Sequence, residues 1–446
     1  MSAVHLSESL LPGLGHLRRG VRGGVPLLLF AALWALVIVG RWERLGELLG
    51  TWSAENVVAL LLLAAIPVLL VLGAHRSLRE RVSPRPREGM GTWALAWREF
   101  RRRPAGSFGL GILALIYAVA CLCPVLAPFE PLYPPPRDTV VLQNLPPGAR
   151  VFALGDIKRG ERWCLGWRLE GTNLVLDRGP RATLPGTMAL ADAGVPPRGW
   201  FRGASSVERV SVGGAEILVR EERYLLGTDT TGRDLLSRLI YGSRISLSIG
   251  FLAMALAVGL GIFFGAIAGY VGGWVDTAIM RFVDILLAFP RLLLLMLIIT
   301  VYEGAGIWTV VLVLGLTGWM GVSRLVRAEF LRLKALDYAT AARALGFSRP
   351  RIMFRHLLPN AMAPVIVSAT LRVGETILVE AALSFLALGV KPPVATWGNI
   401  VDDGRGVLAD APWIATFPGL CIVAAVICFN VVGDALRDAL DPRQRA

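Results

Sequence analysis

Apolar residues in this chain come in runs too long for a soluble fold, separated by polar stretches rich in arginine. Uncharged runs occupy residues 23–40, 56–74, 104–129, 245–275, 304–323 and 411–433. Runs of 18 or more such residues are the mark of helices crossing a hydrocarbon core about 30 Å thick. Two further runs carry charges: 282–302, with Asp284 and Arg291, and 357–390, with Arg372, Glu375 and Glu380. The pattern predicts an all-α polytopic membrane protein with about eight spans. The run 245–275 exceeds one crossing, so that helix tilts or its ends leave the bilayer.

The polar stretches divide the chain. Residues 1–92 read as a transmembrane hairpin followed by an arginine- and proline-rich linker, and 93–129 as an interfacial helix and a span. Trp93 and Trp97, four apart, suit a short helix lying on the membrane surface. Residues 130–225 form a polar insertion in which short apolar runs at 150–154, 173–176, 207–212 and 216–219 alternate with glycine and proline clusters. That pattern predicts a small β-rich unit. Residues 226–446 hold the remaining five spans and their loops, with a basic loop at 323–360.

Composition agrees: the chain is 54% hydrophobic and 18% charged, with a mean hydropathy of +0.59. A formal charge of +13 would suit a nucleic-acid partner, but its placement points elsewhere. Nine arginines from Arg76 to Arg103 lie between the second and third spans. A second basic cluster, Arg324 to Arg355, lies between the sixth and seventh. Basic loops mark the cytoplasmic side. Threading the spans with both clusters inside puts both termini inside and the insertion outside. The charge is a topology signal. Residues 1–22 lead into a retained helix, since the apolar run is long for a signal core and no small-x-small site follows. The five cysteines show neither zinc spacing nor a disulfide framework and read as buried thiols.

One polar segment has structure of its own. Asp337 to Pro364 reads DYATAARALGFSRPRIMFRHLLPNAMAP. Good helix formers run from Tyr338 to Leu345, and Gly346 lets the chain turn out, as a glycine just past a helix end does. Ser348 stands where it would cap a second helix that begins at Arg349 and Pro350, with Ile352, Met353, Leu357 and Leu358 on one face. Pro359 and Pro364 mark the start of the next span. Small residues on the exposed face of the first helix would let it sit closely in a groove of another protein.

Ala341, Ala342, Gly346, Leu358 and Pro359 fall at the spacing of the "EAA" loop of ABC-transporter permeases, and the flanking text resembles the dipeptide/oligopeptide/nickel branch. Family-like text recurs at 225–247, 272–290, 382–405 and 430–443, so the resemblance runs from about Trp93 to Arg443 apart from the insertion. It implies a six-span permease core, to which the first hairpin and the insertion are additions, in the cell inner membrane. It implies a second homologous permease subunit, cytoplasmic ABC ATPase subunits and an extracytoplasmic solute-binding protein as partners, with peptide as cargo and nickel, opines or sugars as alternatives. It also assigns ATPase coupling to Tyr338, Thr340, Ala341, Ala342, Arg343, Gly346, Leu358 and Pro359. Thr340 stands where the signature has glutamate, His356 where it has isoleucine, and Ala387 where a glycine is expected. The first substitution removes a charge that would pair with the ATPase, and the last implies some packing crowding.

The segment 225–247, LLGTDTTGRDLLSRLIYGSRISL, reads as a turn whose Asp229 or Thr231 caps an interfacial helix leading into the next span. Charges inside spans are costly and are candidates for function. Glu375 and Glu380 lie deepest and either line a pathway or pair inside the bundle. No catalytic constellation, metal set or phosphate-binding G-x-x-x-x-G-K-[ST] loop is present, which predicts no cofactor and ATP hydrolysis on a partner chain. Two other readings stay open at this point: an ion-coupled secondary transporter, and a membrane sensor or scaffold with an extracytoplasmic ligand-binding unit.

Overall fold

In a computed structural model, the structure describes residues 92–129, 141–156, 160–178, 186–192, 206–212, 215–301 and 306–440, together with Ala59. The runs 23–40 and 56–74, read above as a hairpin, lie outside the described residues apart from Ala59. The chain divides into two compact units, 1–98 with 117–127, and 99–116 with 128–446. In the first unit, the chain ends a helix at Cys121 and forms the short helix Cys123–Leu126, with Cys123 and Val125 buried.

The described protein is mostly helical. Helix α1 spans Thr92–Arg102, α2 Pro104–Cys121 and α3 Cys123–Leu126. After the β-strands come α4 (Leu235–Val271), α5 (Gly273–Leu287), α6 (Arg291–Val301), α7 (Ile307–Leu333) and α8 (Asp337–Ala344). Then follow α9 (Arg349–Phe385), α10 (Trp397–Arg405) and α11 (Trp413–Leu440). Five described helices, α2, α4, α7, α9 and α11, are long and apolar enough to span a bilayer, and the bent pair α5–α6 makes up to six.

The span boundaries differ from the sequence reading in three places. Helix α4 has 37 residues and runs unbroken through the segment read as a separate interfacial helix. Its cap is Asp234, whose carboxylate accepts from the Ser237 N–H at 2.7 Å, and neither Asp229 nor Thr231 caps it. The run 282–302 is two helices bent by 86° across Ala288–Pro290. Pro290 has no N–H to give the Leu286 carbonyl and crowds it, which favours a break there. Finally, α9 passes straight through Pro359 and Pro364. A π-helical turn over Ile352–Leu357, in which the Leu358 N–H reaches the Met353 carbonyl, widens the helix just where Pro359 has no N–H to give.

Helices α4 and α7 pack most closely. Gly261, Gly265 and Gly269 lie one turn apart on α4 and face Val322, Ser323, Val326, Arg327 and Phe330 of α7. A Cβ at Gly265 would stand 2.5 Å from the Ser323 carbonyl oxygen, so only glycine admits this approach. In lipid no hydrophobic force drives helices together, and close backbone packing between small residues takes its place.

The insertion is β-rich, as the sequence pattern predicts. Strands β1 (Ala149–Asp156), β2 (Gly160–Cys164), β6 (Ser206–Val212) and β7 (Ala215–Tyr224) form an antiparallel sheet in the order β2-β1-β7-β6. Strands β3 (Gly166–Glu170), β4 (Asn173–Asp177) and β5 (Gly186–Ala189) form a second. Alternation along β1 sends Phe152 and Leu154 into a core shared with Leu174, Leu176 and Met188 of the second sheet. Val151 and Ala153 point the other way, toward Leu142, Leu145 and Trp163. The segment around Leu145 then meets the turn before α4: the Leu145 N–H donates to Thr228 Oγ1 at 2.8 Å, and the Thr228 N–H donates to the Leu145 carbonyl. Gly227, at φ +79°, has no room for a side chain against that carbonyl.

Candidate functional site

Helix α8 is short, and its ends are set by local chemistry. At its C-terminus Gly346 adopts φ +75°. The Gly346 N–H donates to the Arg343 carbonyl at 3.0 Å and the Phe347 N–H to the Ala342 carbonyl at 3.2 Å. This is the Schellman arrangement expected of a glycine just past a helix end. Ser348 takes the N-cap position of α9 with Pro350 in the first turn, though its hydroxyl makes no capping bond.

Two of the alanines face inward. Ala339 and Ala342 are buried in one cluster with Phe330 and Leu333 of α7 and Ile352, Met353 and Leu357 of α9. Ala342 therefore seats the helix on its own protein. Thr340, Ala341, Arg343, Gly346 and Pro359 are exposed, while Leu358 is half-buried against the same cluster. Thr340 accepts a hydrogen bond from Arg343 Nη2 at 3.0 Å, and the same nitrogen donates to the Lys334 carbonyl at 3.1 Å. The outer surface is not made of small residues alone: Tyr338 and Leu345 are exposed on it, Leu345 by 72%, and Phe354 of α9 is exposed nearby.

The turn between the two helices is held by stacking. Arg351 sits over the Phe347 ring at 4.4 Å, and the His356 ring stacks on Phe347 at 5.6 Å between centroids. His356 is thus a packing residue, with a buried Nε2 that has no hydrogen-bond partner. Helices α7, α8 and α9 share one packed core, and the turn between α8 and α9 is stacked.

The two deep glutamates separate. Glu380 is fully buried, accepting from Ser246 of α4 at 3.3 Å and from Ser384 at 2.9 Å. Ser246 also accepts from the Trp397 N–H at the start of α10. Glu380 is a bundle-interior pin joining α4, α9 and α10. Glu375 is half-exposed and pairs with Arg291 at 2.5 Å, with Arg372 4.0 Å away.

Sequence reasoning missed a further ionic centre beside the α4 cap. Asp229 is fully buried and lies 2.5 Å from Arg238 Nη1 and 2.8 Å from Arg233 Nε. Asp403 of α10 is 2.6 Å from the same Arg238 nitrogen. Burial alone would raise the Asp229 carboxyl, but the Arg238 and Arg233 guanidiniums and the bonds from the Arg233 N–H and Thr231 outweigh it and hold it below its usual value. The signal was present in the sequence as alternating acids and arginines in GTDTTGRDLLSR.

The described chain is thus a helical protein with several candidate spans, whose short helix α8 is seated on α7 and α9 and exposed on its other side. The family described as binding-protein-dependent transport system inner membrane component matches residues 261–446. The N-terminal transmembrane domain of oligopeptide transport permease C matches residues 91–147. The dipeptide transport system permease protein DppC of Alkalihalophilus pseudofirmus is 43% identical over 220 residues, covering 49% of this chain and 72% of the relative. The oligopeptide transport system permease protein OppC of Haemophilus influenzae is 40% identical over 225 residues, 50% of this chain and 72% of the relative. That of Bacillus subtilis is 43% identical over 219 residues, 49% of this chain and 72% of the relative. This chain belongs to the oligopeptide/dipeptide ABC-transporter permeases, binding-protein-dependent inner-membrane components. It is a multi-pass transport subunit rather than an enzyme, and membership implies ATPase and binding-protein partners. The ion-coupled transporter and sensor readings fall with that assignment.

Proposed function

We propose that this chain is one of two permease subunits of an ATP-driven importer of di- or oligopeptides, and that α8 is the helix through which a cytoplasmic ATPase moves it. The cargo reading is supported by the dipeptide and oligopeptide transport relatives. The coupling reading rests on one observation: α8 is fixed to α7 and α9 on its inner face and open on its outer face, with Tyr338, Thr340, Ala341, Arg343 and Leu345 exposed. The internal Thr340–Arg343 bond leaves Arg343 only partly available for a partner's acid. Apolar contact through Leu345 and Tyr338 therefore carries most of the docking.

The basic loops support cytoplasmic placement of α8 and of both termini, which sets the β-rich insertion outside, at the face where a solute-binding protein delivers cargo. The division into a hairpin at 1–92, a first core span at 93–129, the insertion at 130–225 and the five-span remainder at 226–446 follows the same threading. ATP binding closes the paired ATPases, draws α8 with the ends of α7 and α9, and shifts the spans between inward and outward access. A ligand biases such an equilibrium only by its different affinity for the two states.

The test is affinity purification of the tagged wild type and Leu345→Asp in mild detergent, with identification of co-purifying proteins and an ATPase assay. Leu345 is exposed, so the substitution leaves the fold in place. Recovery of a second permease with both, and of an ATPase with the wild type alone, is the expected result. Equal recovery and equal hydrolysis with both would overturn the coupling role of α8.

A further inference from the structure

Arg291, Arg372 and Glu375 form an ion cluster on the outside of this chain at a depth where lipid would not accept it. Helix α7 gives the scale. Gly318 and Gly321 lie about 16 and 21 Å along it from Ile307, within the uncharged run 304–323. Both arginines lie over these glycines: Arg291 Nη2 is 4.0 Å from where a Cβ on Gly318 would be, and Arg372 Nη2 is 2.7 Å from one on Gly321. Any side chain at Gly321 would displace Arg372. The cluster stays partly exposed, with side-chain accessibilities of 29% for Arg291, 33% for Arg372 and 50% for Glu375.

A charge facing hydrocarbon in mid-bilayer is strongly disfavoured, so such residues turn to water or to protein. The backbone favours water. The α5–α6 bend lies directly before Arg291, and Phe289 within it is exposed. Irregular backbone at membrane depth is tolerated where it is buried in protein or lines an aqueous cavity, and in this chain the break is not covered by protein at Phe289. Helix α6 continues from the bend along the first part of α7, packing Leu295 and Ile299 against Val310, Val311 and Leu314. The cluster and the break therefore share one level and one face.

The charge does not cancel. Two guanidiniums face one carboxylate. Glu375 takes Arg291 at 2.5 Å, whereas Arg372 stands 4.0 Å from it and, among the described residues, otherwise donates only a long bond to Ser368 Oγ at 3.4 Å. Arg291 Nε is buried without a partner among the described residues, so the donors open to a ligand are those of Arg372. A guanidinium fork with spare donors matches a carboxylate. We propose that Arg372, braced by the Arg291–Glu375 pair, is a subsite on the translocation path for the free C-terminal carboxylate of the transported peptide. This rests on the peptide-importer reading above and names the feature of the peptide that the permease itself reads.

The experiment uses the whole importer in proteoliposomes, with its binding protein and ATP. A labelled tripeptide is compared with its C-terminally amidated form, in a pair that the binding protein holds with comparable affinity. The wild type moves the free acid about tenfold faster than the amide, as loss of one charge-assisted bond implies. In Arg372→Gln the two rates converge, chiefly through slowing of the acid, and Arg372→Lys falls between. Equal rates in the wild type would overturn the proposal, and so would an acid-to-amide ratio unchanged by Arg372→Gln. Loss of the second permease from the purified Arg372→Gln complex would also overturn it, by making the cluster a subunit contact. A wild-type complex that hydrolyses ATP but moves neither peptide removes the cargo reading itself, an outcome separate from these.

Discussion

Replacing Gly265 by alanine inserts one methyl group between α4 and α7. Its Cβ would stand 2.5 Å from the Ser323 carbonyl oxygen and 2.8 Å from Val326 Cβ. Ordinary contact between carbon atoms begins near 3.5 Å, so the helices must part by about 1 Å. The first obstacle is backbone, so no rotamer change relieves it. Gly261 and Gly269 share the same seam, and separation at Gly265 loosens contacts to Val322 and Phe330 as well. Overpacking of this kind costs about 1–3 kcal/mol. Gly259 on the same helix provides the control, because a Cβ there meets nothing within 4 Å. Gly259→Ala gains helix propensity of up to about 1 kcal/mol with no steric penalty. Gly265→Ala gains the same propensity, so the two variants should differ by the steric cost alone, about 1–3 kcal/mol, Gly265→Ala being the less stable. Thermal unfolding of the detergent-purified protein, scored side by side, reads the difference. Equal midpoints, or a lower midpoint for Gly259→Ala, would refute the glycine seam.

Three more outcomes follow from other parts of the chain. Burial lifts the Asp234 carboxyl from 3.8 to about 6 despite the bonds it accepts from Ser237; the native state thus holds this proton more tightly than the unfolded chain. Its contribution to stability is complete below about pH 4 and is lost as pH rises through about 6, so Asp234→Asn, which keeps a cap acceptor, should flatten the fall in unfolding midpoint between pH 4.5 and 7.5. Arg238→Gln strips the fully buried Asp229 of its closest counter-charge and should cost about 3 kcal/mol or more, read as a lowered midpoint that Asp229→Asn partly restores. Ala387 holds φ +60° just past the end of α9, a left-handed position that disfavours a Cβ by about 1–2 kcal/mol, so Ala387→Gly should raise the midpoint rather than lower it.

The last case illustrates what the sequence did and did not carry. Ala387 stands out as a departure from the expected glycine, and crowding is the natural inference. The structure locates the cost in the backbone instead: the Ala387 and Leu388 N–H groups close a Schellman turn onto Ser384 and Leu383. Gly346 was legible because a glycine after a run of helix formers has one common use, and the same turn closes there. The β-unit was legible at the four strands with clear apolar alternation. Strands β2, β3 and β5 were not, because Gly160–Cys164, Gly166–Glu170 and Gly186–Ala189 are short and mixed in polarity.

Among the described residues, span counting matched a helix at the uninterrupted runs 104–129, 304–323 and 411–433 and went astray where a helix ran on past its apolar core or broke within it. Hydropathy sees burial in lipid but not hydrogen-bond continuity, so it could not join 235–244 to α4 or divide α5 from α6 at Pro290. The glycine seam was visible as a four-residue spacing within GLGIFFGAIAGY, yet only the facing helix shows which of α4's glycines are in contact. In the same way, Glu375 and Glu380 lie only about 7.5 Å apart along one helix and are indistinguishable by hydropathy. Their partners separate them: serines of the packed bundle for one, arginines on an open face for the other.

The central claim is that α8 is the part of this chain that an ATPase grips. A photo-crosslinking residue placed at Tyr338 or at Leu345, with Leu378 on α9 as an exposed control within a span, tests it directly in membranes containing the whole importer. The account predicts that 338 and 345 capture the ATPase subunit and that 378 does not. Capture of the ATPase from 378, or from neither position on α8, would contradict it.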